Sequence, residues 1–164
     1  MTIRLADPAD AAAIAAIWNP YIRDTMVTFN WAEKSPQEVA TMIEVRQQAG
    51  CGTWLAQEAG RPLGFASYSQ FRGGVGYTHT MEHTILLAPE ARGRGVGRAL
   101  MRALEDHARA GGVHSMFAGV SAANPEGVAF HAALGYGQVA RLAEVGFKAG
   151  RWLDLVLMQK ILTP

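Results

Sequence analysis

The densest group of residues that can bind or react with a ligand is the seven-residue run Arg92–Arg98, which holds three glycines and three arginines. An amphipathic helical pattern begins within it, at Val96. Glycine lets a ligand approach the backbone closely, and the unpaired N–H groups at the start of a helix bind anions. Arginine adds charge-assisted hydrogen bonds to phosphate oxygens. The run therefore predicts a phosphate-binding loop, and the alternative is a flexible basic loop.

The spacing within this run excludes two common phosphate-binding motifs. No Gly-Lys-Ser/Thr follows it, as a P-loop requires, and glycines at 93, 95 and 97 do not have the G-x-G-x-x-G spacing of a dinucleotide fingerprint. A nucleic-acid-binding arginine–glycine tract is disfavoured as well, because the sequence has only one short cluster.

Glu82 is the candidate general base. It lies in a run rich in β-branched residues that predicts a strand over 77–87, with Glu82, Thr84 and Leu86 on one face and His83 on the other. An acceptor amine arrives mostly as ammonium, and a carboxylate in a partly desolvated cleft can remove its proton, directly or through water. The alternative is an exposed glutamate that pairs with an arginine.

The segment His79–His83 also matches the H-x-x-E-H pattern of zinc proteases. That pattern needs a helix, whereas a strand separates positions 79 and 83 by about 13 Å at 3.3 Å per residue. We therefore expect no metal at this segment.

The elements that must position these residues are predicted by hydrophobic periodicity and by turn and cap signals. Asp7-Pro8 starts one helix, and the capping box Ser35–Glu38 starts a second that ends at Gly50. The order of elements indicates a mixed-sheet α/β domain. The further predicted helices are 96–110 and 125–134, and the predicted strands are 2–5, 53–58, 62–71, 77–87, 115–120, 136–145 and 152–161.

The composition fits one globular domain over residues 1–164, with 49% apolar and 18% charged residues. Fifteen Lys+Arg against fourteen Asp+Glu argue against general binding to nucleic acid or to a membrane surface. No apolar run approaches the roughly 20 residues of a membrane span, and the charged N-terminus does not have the pattern of a signal peptide. The single cysteine, Cys51, excludes an internal disulfide, so these features together indicate a cytoplasmic protein.

Two motifs give the sequence a family resemblance. The spacing Arg92-x-x-Gly95-x-Gly97 matches the Q/R-x-x-G-x-G pyrophosphate loop of the GNAT acyl-CoA N-acetyltransferases, and the segment 124–136 resembles their second motif. The resemblance implies the GNAT fold, a mixed and mostly antiparallel sheet flanked by helices, with acetyl-CoA as cosubstrate and no metal. The residues that it implies for cofactor binding are Ile85, Leu86, Leu87, Arg92, Gly93, Arg94, Gly95, Val96, Gly97, Arg98 and Asn124.

Segments 81–87 and 145–155 narrow the resemblance to the phosphinothricin and methionine sulfoximine acetyltransferases, although Leu86 stands where those enzymes usually carry tyrosine. This implies a small amino-acid-like acceptor and a homodimer. The apolar strand predicted over 152–161 supports a dimer if it lies at a sheet edge, and it fits a central strand equally well. The candidate acceptor-binding residues are Arg72, Gly73, Gly74, Glu82, His83 and Thr84.

The predicted catalytic residues are Glu82 and His131. His131 occupies the position where many GNAT enzymes carry a tyrosine proposed to reprotonate the departing thiolate, and an imidazole can donate a proton near neutral pH. The equal alternative is a histidine that only lines the cofactor channel. We expect direct transfer in a ternary complex, with backbone N–H groups around Leu86 and Leu87 polarising the thioester carbonyl. No acetyl-enzyme is expected, because Cys51 lies outside every motif.

The choice of acceptor follows from charge. Arg72 suits the carboxylate of an amino acid, and Glu82 suits its amine. The anionic phosphinothricin would gain from a second cation, and the candidates are Lys148 and Arg151, from the same chain or from a partner subunit. Because neither is securely placed, we expect the neutral methionine sulfone or sulfoximine to be preferred. The alternative functions are a protein or peptide N-acetyltransferase and a non-catalytic CoA-binding sensor.

Overall fold

Seven strands form one sheet, flanked by four α-helices, in the computed structural model, which describes residues 1–163. The strands are β1 (Thr2–Leu5), β2 (Thr53–Glu58), β3 (Arg61–Gln70), β4 (Thr80–Leu87), β5 (Ser115–Ser121), β6 (Gly137–Lys148) and β7 (Arg151–Ile161). The helices are α1 (Ala11–Asp24), α2 (Pro36–Gln48), α3 (Val96–Ala110) and α4 (Pro125–Ala133). The sheet order is β1-β2-β3-β4-β5-β7-β6, and every neighbouring pair is antiparallel except β4 and β5. The predicted mixed α/β fold is confirmed.

Two apolar cores lie on opposite faces of the sheet. Helices α1 and α2 pack on one face, where Ile14 and Ile43 meet Phe65 and Leu86. The other core joins α3 to the sheet, and residues of α4 pack against it. Alternate residues of β4 enter the two cores, Leu86 on the α1/α2 side and Met81 on the α3 side. This confirms the predicted division of β4 into two faces.

Local sequence signals set most helix and strand boundaries. Ser35 and Glu38 form the predicted capping box, with Pro36 at the first position of α2. Asp7 caps only a single 3-10 turn, after which α1 begins at Ala11.

Most predicted boundaries lie within two residues of the observed ones, and besides the start of α1 the larger differences are at the start of β4 and at the turn between β6 and β7. Strand β4 begins at Thr80 rather than at Tyr77, because Val75–Tyr77 form a 3-10 turn. Strands β6 and β7 extend further towards each other than predicted, because the tight turn between them needs only Ala149 and Gly150, both at positive φ.

The C-terminal strand lies inside the sheet. Strand β7 pairs with β5 on one side and with β6 on the other, so it has no free edge, and Leu153, Val156 and Met158 are buried in the core. The edge strand at this end of the sheet is β6, and its surface exposes several large apolar side chains. The argument that an apolar edge strand needs a second copy of the chain to cover it therefore does not apply to β7. It applies to β6, which lies at the edge of the sheet. The exposed apolar residues at this end of the sheet are Val139, Leu142, Val145, Phe147 and Trp152.

The parallel pair β4–β5 opens into a fork. Pairing between them ends at His83 and Ala118, whereas β4 continues to Leu87 and β5 continues to Ser121. Each branch stays paired on its outer side, residues 84–87 with β3 and residues 119–121 with β7. Because N–H and C=O groups alternate along a strand, β4 presents backbone hydrogen-bonding groups to the gap. The fork is the feature of the fold that positions the site.

Residues 1–163 include no helix long and apolar enough to cross a membrane. Within the same range, no three His, Cys, Asp or Glu residues form a group that could hold a metal ion. Cys51 is a buried free thiol whose pKa is raised by burial.

Candidate active site

A cavity of about 260 Å³ fills the fork between β4 and β5. Three segments form its walls: residues 82–86 of β4, residues 118–121 of β5 and residues 27–30 between α1 and α2. No lysine or arginine lines it among the residues that the structure describes. The remaining lining residues are Trp18, Asn124, His131 and Leu155.

Glu82 extends from β4 into this cavity and lies over Gly119 of β5. A Cβ atom at Gly119 would be 2.7 Å from Glu82 Oε1, a distance that real side chains do not tolerate. Gly119 therefore leaves the space that the carboxylate occupies. Within residues 1–163 the Glu82 side chain forms neither an ion pair nor a hydrogen bond, so the alternative of a salt-bridged surface glutamate is wrong.

The surroundings of Glu82 favour its protonated form. Its partner on β5 is Phe117, and the ring of Phe117 stacks on Phe71 with 4.5 Å between the ring centroids. Burial raises the pKa of Glu82 above the usual carboxyl value. A carboxylate with a raised pKa binds a proton more strongly, which suits a general base.

The end of β4 is tied to the glycine–arginine loop by a tyrosine. Tyr21 Oη donates a hydrogen bond of 2.7 Å to the Leu87 carbonyl oxygen, and Arg92 Nη2 lies 3.5 Å from Tyr21 Oη. Thr84, Ile85 and Leu86 line the cavity, and Leu87 adjoins this contact. The structure thus links Leu87, a predicted cofactor residue at the end of β4, to Arg92 through Tyr21.

The glycine–arginine loop leads directly into α3. Gly93 and Gly95 have φ values of 71° and 77°, in the left-handed region that favours glycine, and Gly95 is the N-cap of the helix. No side chain caps α3, which leaves the N–H groups of its first turn available for an anion. This geometry fits the pyrophosphate of a CoA thioester.

The other residues of this loop have different roles. Arg94 Nη2 lies 2.7 Å from a carboxylate oxygen of Glu58 and is already paired, whereas Arg98 is exposed without an ion pair among residues 1–163. Val96 is buried in the α3 core. A Cβ at Gly97 would come within 3.0 Å of the Phe130 ring, so this glycine permits α3 to pack against α4. That Gly97 also binds the cofactor stays a prediction.

Asn124 begins α4 at the edge of the cavity. Its Oδ1 accepts a hydrogen bond of 3.1 Å from the Gly127 N–H, which is an N-cap interaction. A Cβ at Gly127 would lie 2.4 Å from Asn124 Nδ2, so the cap depends on this glycine. The predicted cofactor residue therefore also holds the start of α4 in place.

His131 and His83 form a buried pair on the opposite face of β4 from Glu82. Their ring centroids are 5.0 Å apart, and both rings also contact Tyr136. Three buried ring nitrogens have no hydrogen-bond partner among the described residues: both nitrogens of His83 and Nε2 of His131. Burial lowers the pKa of both rings, that of His83 to about 3. Both side chains are therefore neutral at physiological pH.

The hydrogen bond of His131 fixes its tautomer. Nδ1 lies 2.7 Å from the Gly127 carbonyl oxygen, and because a carbonyl oxygen only accepts, Nδ1 carries the proton. In the neutral ring, Nε2 then has a lone pair and no proton to donate. The predicted acid role would require a charged ring, which burial opposes, so the geometry favours the alternative of a channel-lining histidine.

The turn that carries Arg72, Gly73 and Gly74 does not line the cavity. All three residues are exposed, and the Arg72 guanidinium lies 6.0 Å from the centroid of the Tyr77 ring. Arg72 forms no ion pair within residues 1–163. The structure thus brings Glu82, His83 and Thr84 together at the cavity and leaves the other three predicted acceptor residues outside its lining.

Sequence reasoning missed two parts of the site. Gly119 interrupts the strand pattern of β5, and a glycine inside a strand often marks a close approach of another group, so a signal was present. The wall formed by residues 27–30 carried no such signal, because its aromatic and β-branched residues are equally typical of a core segment.

Known proteins share this architecture over nearly the whole chain. The family description "Acetyltransferase (GNAT) family" matches residues 14–136. The L-methionine sulfoximine/L-methionine sulfone acetyltransferase of Salmonella typhimurium is 38% identical over 159 residues, which are 97% of this chain and 93% of that protein. The phosphinothricin N-acetyltransferase of Alcaligenes faecalis is 33% identical over 160 residues, 97% of this chain and 81% of that protein. The solved structure of yncA from Salmonella typhimurium with its cofactor acetyl-CoA has a TM-score of 0.95 and 37% identity, covering 100% of this chain and 95% of that chain.

Proposed function

Because the chain belongs to the GNAT acetyltransferase family, we propose that it transfers the acetyl group of acetyl-CoA to the α-amine of a small amino-acid-like acceptor. The observation that carries the proposal is the forked cavity. Glu82, with a raised pKa and no protein partner, lines it, and the uncapped start of α3 lies near the end of the same strand. The candidate base and the candidate anion site together support the proposal.

The residues at the fork suit a CoA thioester. Gly93, Gly95 and the first N–H groups of α3 would hold the pyrophosphate, with Arg92 and Arg98 as nearby cations. The backbone groups of residues 84–87 that face the gap would bind the rest of the CoA thioester and polarise its thioester carbonyl group. When bound, acetyl-CoA supplies an acetyl group activated as a thioester.

Glu82 performs the proton chemistry on the acceptor. Its carboxylate takes a proton from the ammonium group, directly or through water, and frees the nitrogen lone pair. The new N–C bond replaces the C–S bond, and the sulfur leaves as a thiolate that takes up a proton to become the thiol. We assign His131 to the lining of the cofactor channel, because its Nε2 carries no proton in the neutral ring.

The charge of the cavity bears on which acceptor is used. Its described lining contains no lysine or arginine, so an anionic phosphinate would have no cation within it. Neutral sulfone or sulfoximine oxygens need only hydrogen bonds, for which Thr84 and the exposed backbone N–H groups of Gly73 and Gly74 are candidates. Arg72 is the proposed partner of the acceptor carboxylate from outside the cavity lining: it lies in the turn between β3 and β4, is exposed and has no ion pair within residues 1–163. The relatives named for methionine sulfoximine and methionine sulfone support this choice.

A panel of amines tests the proposal through release of the CoA thiol. We expect kcat/KM for methionine sulfone and methionine sulfoximine to exceed that for phosphinothricin, and all three to exceed ordinary amino acids. A preference for phosphinothricin would overturn the charge argument. Activity confined to peptide amines would replace the small acceptor with a protein substrate, and binding of acetyl-CoA without turnover on any amine would indicate a sensor.

We propose a homodimer that covers the exposed apolar surface of β6 and the start of β7 with a second copy of the chain. Phe147 and Trp152 pair at the turn end of this surface with 4.9 Å between their ring centroids, and each is more than half exposed. An apolar edge strand of this kind is normally covered. Light scattering at micromolar concentration should give the mass of two chains, and the mass of one chain would contradict the proposal.

We also propose that the protein works in the cytoplasm. Its single cysteine, Cys51, is a buried free thiol, which suits a reducing compartment. Fractionation of cells that express a tagged chain should recover it with cytoplasmic markers.

A further inference from the structure

The wall of the cavity opposite β4 is an irregular segment, residues 25–30, which we call the acceptor loop. Val27, Thr28, Phe29 and Asn30 of this loop line the cavity, although none of them lies in a helix or a strand. Its own hydrogen bonds are few and all involve threonine hydroxyls. Thr25 Oγ1 donates to the Tyr21 carbonyl oxygen at 2.7 Å and accepts from the Val27 N–H at 3.2 Å, and Thr28 Oγ1 accepts from the Asn30 N–H at 3.3 Å. The loop therefore depends on the rest of the fold for its shape.

Lys148, near the end of β6, supplies the main polar contact to this loop. Its Nζ donates hydrogen bonds to the carbonyl oxygens of Thr25 at 2.6 Å and of Thr28 at 2.8 Å. The residue is only 5% exposed, burial lowers its pKa, and no carboxylate of residues 1–163 pairs with it. Burying a lysine without a carboxylate is costly, and the two bonds to loop carbonyl oxygens offset part of that cost.

The same strand makes a second contact with the loop, through the side chain of Phe29. The Phe29 ring lies directly on Gly146, where a Cβ atom would be 2.4 Å from the ring. Gly146 and Lys148 are on the same face of β6, two residues apart. One short segment of an edge strand thus holds both the backbone and the aromatic side chain of the cavity wall.

We propose that Lys148 is a positioning residue that holds the acceptor loop in its binding conformation and thereby sets the affinity for the acceptor. It acts through the loop, because Lys148 itself does not line the cavity. The proposal rests on the proposed function, in which the cavity receives the acceptor. Because the cofactor residues lie on β4 and α3, loss of the anchor should alter acceptor binding and leave acetyl-CoA binding unchanged.

The test compares Lys148→Met, which keeps the apolar stem and removes the donors, with Lys148→Arg, which keeps donors and charge. In Lys148→Met we expect amide hydrogen exchange in residues 25–30 to speed up about tenfold and the KM for methionine sulfone to rise about tenfold, with little change in kcat. Lys148→Arg should fall between this variant and the wild type. The Kd for acetyl-CoA should stay within about twofold. Arg102→Met, which removes an exposed cation from α3, is the control and should change none of these quantities.

Each result decides the matter. Unchanged exchange in the loop, or faster exchange with an unchanged KM, would overturn the positioning role. A wild-type enzyme that acetylates no amino acid would contradict the proposed function. Hydrogen exchange does not depend on turnover, so it would still test whether Lys148 holds the acceptor loop. If Lys148→Met does not fold, Gly146→Ala displaces Phe29 from the same wall and should raise the KM in the same direction.

Discussion

Replacing Glu82 with glutamine should lower kcat by about a hundredfold to ten-thousandfold, the usual contribution of a general base, and leave the affinity for acetyl-CoA near the wild-type value. Glutamine has nearly the same shape and cannot take up the proton of the acceptor ammonium. Glu82 has no ion pair or hydrogen bond within residues 1–163, so the substitution breaks no structural contact that would complicate the result. Glu44→Gln, on the exposed face of α2, is the matched control and should retain full activity.

The pH dependence gives this prediction a second readout. The active form of Glu82 is the carboxylate, and burial raises its pKa, so the wild-type rate should fall as the pH drops through a value above that of an ordinary carboxyl group. In Glu82→Gln this limb should vanish and leave a low rate that depends less on pH. Full activity of Glu82→Gln at neutral pH would show that another group is the base.

Gly119→Ala perturbs the same carboxylate from the opposite strand. Because the new Cβ would be 2.7 Å from Glu82 Oε1, the carboxylate has to move away from β5. We expect a smaller loss of kcat than in Glu82→Gln, together with a shift of the pH limb. The pH–rate profile separates this effect from a loss of stability. A fraction of unfolded protein would lower the rate at every pH and would not shift the pH at which the rate falls.

Replacing Gly95 with valine should weaken acetyl-CoA binding by about tenfold to a hundredfold, and each tenfold step corresponds to about 1.4 kcal/mol. The residue is the N-cap of α3 at φ 77°, and a Cβ there would meet no protein atom within 4 Å. The substitution therefore adds a side chain in the space where phosphate oxygens would approach the N–H groups, and it adds strain in the left-handed region. Calorimetric titration with acetyl-CoA gives the Kd.

Gly50→Val is the control variant for backbone strain. Gly50 follows α2 with a φ of 74° and equally open surroundings, so valine there has a similar backbone cost far from the loop. Thermal unfolding should show a comparable loss of stability in both variants, and only Gly95→Val should lose affinity. Equal affinity in the two variants would mean that the start of α3 does not bind the cofactor.

Local signals carried much of the fold and part of the site. The capping box at Ser35 and the Asn124-Pro125 start of α4 are short-range features, and the structure reproduces both. Alternation along β4 placed Glu82 and His83 on opposite faces. These features need only a few neighbouring residues, which is why the sequence alone is sufficient to predict them.

The features that escaped prediction depend on long-range geometry. The approach of Gly119 to Glu82 is set by the register of the parallel β4–β5 pair, and the contact of Lys148 with Thr25 spans 123 positions along the chain. The apolar run of β7 fits an edge strand and a central strand alike, so only the sheet order decides between them.

The most direct test of direct transfer at this cleft is an initial-velocity experiment. Acetyl-CoA is varied at several fixed concentrations of methionine sulfone, and the acetylated product and the intact enzyme are weighed by mass spectrometry. We predict intersecting double-reciprocal lines, an N-acetylated acceptor and no added acetyl mass on the protein, because Cys51 is buried away from the cavity and its pKa is raised by burial. Parallel lines together with an acetylated enzyme would contradict the account.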